Sequence, residues 1–141
     1  MKASLLALAA SMTASLASCT TAPPPPAGAL ECGIIGSSDW AAWVNAMPGP
    51  NAQPKLIVTG KVTVPSGATR VEWSDMRVME SYPVQVVAEL RAVEPPGVAG
   101  APVVVTHEVR GEWAISPPVG ALTVRCGDMV LVRISPVETA H

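Results

Sequence analysis

Lys55-Leu56-Ile57-Val58-Thr59-Gly60-Lys61-Val62-Thr63-Val64 changes side-chain character with a period of two. Leu56, Val58, Val62 and Val64 fall on one face, and Ile57, Thr59, Lys61 and Thr63 on the other. Successive side chains of a strand point to opposite faces, so this pattern describes a strand with one face in a core. The same period returns on both sides of the Pro65-Ser66-Gly67 turn. Val84–Val93 places Val84, Val86, Ala88, Leu90 and Ala92 together, and Val103–Arg110 does the same with Val103, Val105, His107 and Val109. Val71 and Trp73 share a face within Arg70–Ser74. Met76–Glu80 is a weaker strand, with Val78 inward if Arg77 and Met79 point out. Ala121–Cys126 and Met129–Ile134 flank Gly127-Asp128, a two-residue link that favours a type II′ hairpin.

About seven short strands with turn residues between them predict a mainly β fold. The expected architecture is an antiparallel β-sandwich, loosely Ig-like, over residues 29–137, followed by a C-terminal tail at 138–141. One short N-terminal helix is also expected. Ser38 or Asp39 can cap it, Trp40, Trp43, Val44 and Met47 lie at i, i+3, i+4 and i+7, and Pro48-Gly49-Pro50 ends it. At two turns it must lie against the sheets to persist, with Trp40 and Trp43 as the plugs. Glu94–Pro102 reads as a long loop, and Gly111–Pro118 as an irregular segment that carries Trp113. The length allows one domain with one core.

The first residues concern location. Lys2 precedes an uncharged apolar run from Ala3 to Ala17, which is the pattern of an export signal. The run is short of the ~20 apolar residues of a membrane span, and Ser4, Ser11, Thr13 and Ser15 dilute it. Leu16-Ala17-Ser18-Cys19 resembles the lipobox of bacterial lipoproteins. That resemblance implies a signal peptide over 1–18, cleavage before Cys19 and acylation of Cys19. Thr20, where retained lipoproteins carry Asp, implies the periplasmic face of the outer membrane in a Gram-negative cell. The body resembles small proteobacterial periplasmic lipoproteins only in general pattern, and no functional residue follows from that likeness. Pro23–Pro26 predicts a polyproline II spacer, making 19–28 a lipidated, Pro-rich tether.

The lipobox also bears on the other two cysteines. If Cys19 carries lipid, Cys32 and Cys126 remain as a pair, and an oxidising periplasm would join them. Two free buried thiols are the alternative. Cleavage removes Lys2 and leaves eight basic against 11 acidic side chains, a net charge of −3. Such a balance excludes a nucleic-acid partner, which needs a basic stripe, and leaves no polybasic patch for anionic lipid.

No motif names a reaction, and the expectation is a protein that is not an enzyme and needs no cofactor. Gly-x-Ser-x-Gly is absent. His107 and His141 are the only histidines, and His107 sits in a valine-rich strand face. His107-Glu108 is isolated. Met76 and Met79, three apart in a strand, face opposite ways, so no metal site is expected. Sugar recognition would draw on Trp40, Trp43, Trp73, Trp113 or Tyr82, the entire aromatic supply. Trp113, Tyr82 and His107 are therefore the candidate ligand-binding residues. The expected function is a lipid-anchored, non-enzymatic binding module for an envelope protein or for peptidoglycan. Its loops Glu94–Pro102 and Gly111–Gly120 are the parts available for presentation. The alternative is a small hydrolase or metal carrier centred on His107.

Overall fold

The computed structural model describes residues 32–141, so the lipobox, Cys19 and the proline run lie outside the described residues. Eight strands follow in chain order: β1 (Gly36–Asn45), β2 (Lys55–Val64), β3 (Arg70–Met79), β4 (Val84–Val93), β5 (Val105–Ala114), β6 (Val119–Cys126), β7 (Met129–Ile134) and β8 (Glu138–Ala140). They form two four-stranded sheets, ordered β5-β2-β1-β8 and β3-β4-β6-β7. One hydrophobic cluster draws on both. Val44, Leu56, Val58, Val62 and Val64 come from the first sheet, and Val86, Ala88, Leu90, Leu122 and Val124 from the second. The alternation of β2 and β4 is thus realised as read. Burying each such Val or Leu contributes roughly 1.5–3 kcal/mol.

The expected helix is instead β1. Residues 41–45 pair antiparallel with β2, and residues 43–45 pair parallel with β8. Trp and Val favour strands, and Trp40, Ala42 and Val44 satisfy a period of two as readily as Trp40 and Val44 satisfy i, i+4. A bulge between Ser38 and Ala41, with Asp39 at φ 52°, breaks the pairing where a helix start was read. The sheets are also mixed rather than purely antiparallel. The chain crosses to the other sheet at β5, and β6 returns parallel to β4. The segment expected as a tail, 138–141, supplies β8, which runs parallel to β1.

The two strands read over 70–74 and 76–80 are one strand, β3. A bulge between Trp73 and Asp75 resets the alternation, so Val71, Trp73, Met76 and Val78 all oppose inward residues of β4. Val78 takes the expected face but lies at the sheet's end and stays half exposed. Residues 111–114, read as irregular, continue β5 against β2. The Cys126–Met129 hairpin forms as read, and Gly127 adopts φ 58°, the left-handed value that the first central position of a type II′ turn requires.

Cys32 and Cys126 are joined by a disulfide, with Cα atoms 5.1 Å apart and 94 residues between them in sequence. Both are buried. Closing so long a loop contributes up to ~4.6 kcal/mol through the unfolded state.

Two tryptophans require glycine as a neighbour. A Cβ at Gly60 would lie 2.3 Å from the Trp40 ring, and one at Gly111 would lie 2.2 Å from the Trp113 ring. Gly60 therefore interrupts the β2 pattern because an indole from β1 fills the place of its side chain. Trp113 lies back over Gly111 and meets Trp73 edge-on, ring centroids 5.0 Å apart. This contact closes the seam between the edge strands β5 and β3.

Candidate functional site

The connections divide between two ends of the two-sheet body. One end carries Cys32, the 65–69 turn, the 94–104 loop and the β6–β7 hairpin. The other carries the β1–β2, β3–β4, β5–β6 and β7–β8 connections, which contain seven of the chain's 15 prolines. Proline fixes φ and lowers the entropy lost on ordering a loop.

Backbone bonds join these proline-rich loops to one another. Ile115 N donates to Pro54 O at 3.0 Å, and Val84 N donates to Pro118 O at 3.0 Å. Ala46 N donates to Ala140 O at 2.8 Å. Ser135 Oγ donates to Gly120 O at 3.2 Å. The loops are held as one rim rather than as four independent segments. Between them lies an open cavity of about 590 Å³, lined by Gln53, Pro54, Val78, Val84, Ala114, Ile115 and Ser116. Its wall is mostly apolar, with Gln53 and Ser116 as the polar side chains. Tyr82 stands two residues from Val84 and is 87 % exposed, and Met79 and Val78 beside it are about half exposed.

A second concavity, of about 350 Å³, lies on the outer face of the first sheet, lined by Asp39, Thr59, Lys61, Glu108 and Arg110 among others. Its lysine and arginine are already paired, and Glu108 is the lining charge left over. Lys61 Nζ lies 3.0 Å from Asp39 Oδ2, and Arg110 Nη2 donates to Glu112 Oε1 at 2.7 Å. The hydrogen bond to Asp39, and then its charge, hold the Lys61 pKa above the ordinary 10.5. A ligand here would have to displace these pairs, so the proline-rimmed cavity is the better candidate.

The three residues singled out in the sequence do not converge. Tyr82 stands on the rim. Trp113 is half-buried in the β3–β5 seam rather than offered on a loop. His107 lies six residues before Trp113 on β5, ~20 Å away along the strand. It faces inward beside Val109, and its Nε2 is buried without a hydrogen-bond partner. Among the described residues no group of three or more His, Cys, Asp or Glu is placed to hold a metal ion. The cavity walls Val78, Val84 and Ile115 were not singled out from sequence. The available signal was only that Pro54, Pro83, Pro117 and Pro118 stand close to these residues in the chain. No protein-family model, curated protein or solved structure matches this chain.

Proposed function

We propose that this chain is an exported, lipid-anchored binding module. In this reading Cys19 carries the acyl groups, and the body is a loosely Ig-like sandwich held at the periplasmic face of the outer membrane. The proline-rimmed end binds an apolar segment of an envelope protein. The observation that carries the proposal is the cross-bonded rim around an apolar cavity, with Tyr82 exposed beside it. A site whose loops are already fixed loses little entropy on binding, and a rigid Tyr supplies large contact area with few rotors. Protein is favoured over peptidoglycan because the cavity wall offers few hydrogen-bonding side chains, and Tyr82 is the single aromatic exposed at this end. His107 has no role in this reading, since its Nε2 is buried and the residue lines neither cavity described above.

A photo-crosslinking residue at Tyr82, in the full chain in intact envelopes, tests it. A discrete protein adduct that is absent when the same group replaces Thr123 supports the proposal. Recovery of glycan fragments instead would redirect it to peptidoglycan. Indistinguishable adduct patterns at the two positions would defeat it.

A further inference from the structure

Pro95-Pro96-Gly97-Val98-Ala99-Gly100-Ala101-Pro102-Val103-Val104 holds ten residues without one polar or charged side chain. Exposed connections normally carry polar residues, because apolar side chains in water forgo the gain from burial. Here Val98, Val103 and Val104 are 56 %, 55 % and 62 % exposed. The loop is not loose. Gly67 N donates to Ala101 O at 3.4 Å, Val103 N to Ala101 O at 2.7 Å and Val98 N to Pro95 O at 3.3 Å. A Cβ at Gly100 would lie 2.1 Å from Ser66 Oγ, so the loop sits directly on the 65–69 turn. Its one flanking charge is turned back, since Thr69 Oγ1 donates to Glu94 Oε1 at 3.4 Å.

The location supplies the occupant. Ile35, also exposed, follows Cys32 closely and its N–H donates to Thr63 O at 2.9 Å, on the same end of the body. Twelve residues separate Cys19 from Cys32, a span of no more than ~45 Å even fully extended. An anchor at Cys19 therefore joins the lipid surface to this end of the body, while Tyr82 lies at the opposite end.

We propose that loop 95–104, with Ile35, is a bilayer-docking surface whose valines enter the interfacial zone of the membrane. The proposal rests on the anchored reading above for its geometry. The loop carries no Lys or Arg, so apolar partitioning drives the contact, and anionic headgroups contribute little. Docking orients the body and points the proline-rimmed cavity away from the membrane, toward a partner in the periplasm.

The test uses the full acylated protein on vesicles of phosphatidylethanolamine and phosphatidylglycerol. A polarity-sensitive fluorophore is placed at Val103→Cys or, as the control, at Tyr82→Cys. The expected result is a blue shift at Val103 and loss of roughly half its emission to a shallow lipid-borne quencher, with the Tyr82 probe unchanged. Val98→Asp in the Val103-labelled protein reverses the shift, and raising salt about tenfold does not. Val98 is exposed, so this change leaves folding intact. Equal, water-like behaviour at both positions overturns the proposal. So does a Val103 shift that appears without lipid and grows with protein concentration, which assigns the patch to a second copy. The N-terminal mass of the same preparation separates the two readings. Acylated Cys19 with a water-like Val103 probe defeats docking alone. Unmodified Cys19 with a lipid-dependent Val103 shift at high lipid defeats the anchor alone.

Discussion

Both ends of this molecule expose apolar residues, and they are built differently. At the end bearing Cys32, a disulfide fixes the body and one long loop presents valines on a run with no polar side chain of its own. At the other end apolar residues line a cavity, three proline-bearing connections are tied to one another through the backbone, and Ser135 ties the fourth to β6 through its hydroxyl. A convex apolar loop suits a fluid partner that conforms to it. A fixed concave rim suits a partner with a shape of its own. The difference shows that exposed apolar surface carries information mainly through the geometry that displays it.

Removing the disulfide would break the comparison most severely. Cys32→Ser with Cys126→Ser is expected to lower the unfolding free energy by about 2–5 kcal/mol, measured by urea denaturation. An unchanged midpoint would mean that strand pairing alone holds the Cys32 end. Next comes the frame between the ends. Gly111→Ala forces a methyl against the Trp113 ring and should cost about 1–3 kcal/mol. The near-ultraviolet circular dichroism of the Trp73–Trp113 pair should change with it. Retention of that spectrum would show that the β3–β5 seam tolerates a shifted indole.

Tyr82→Ala sharpens the contrast, because it separates binding from folding. Stability should stay within about 0.5 kcal/mol, as for other exposed sites, while the crosslinked adduct drops at least several-fold when the photo-reactive group is moved to Met79. A stability loss beyond that range would mean Tyr82 supports the rim rather than a ligand. The smallest effect belongs to Lys61. Its pKa is raised in the folded protein, so its contribution is fully present below the ordinary value and fades as pH rises through the folded one. Lys61→Gln should lower the melting temperature slightly at neutral pH, and the gap from the parent should close as pH rises past the ordinary lysine value.

Much of the fold was legible because its signals are local. The alternation in β2 and β4 depends only on which residues face one core, and the Gly127-Asp128 hairpin depends on turn chemistry. The errors all fell where a distant partner decided the outcome. Trp40–Asn45 reads equally as a short helix or a strand, and the strand won because β2 and β8 flank it on both sides. The apparent break in β3 was a bulge, which keeps Trp73 and Met76 on one face despite a spacing of three. Gly111–Pro118 reads as irregular, yet Gly111 does not break β5. It is instead the space into which the Trp113 indole folds. Of the candidate site, Tyr82 was visible as a lone tyrosine before proline, but the cavity beside it was not. Its walls come from three connections and the strand ends beside them, whose proximity no single segment encodes.

By itself, then, the sequence determined the β character, the positions of most strands and the apolar faces that make the core, since each follows from side-chain period over fewer than a dozen residues. The pairing of Cys32 with Cys126 was readable only on the expectation that Cys19 carries lipid. Only the tertiary structure decided which strands became neighbours, that two of those pairings run parallel, and which connections gather at each end. Those outcomes depend on contacts between residues far apart in the chain, where the balance is set by the burial available after folding rather than by any local preference.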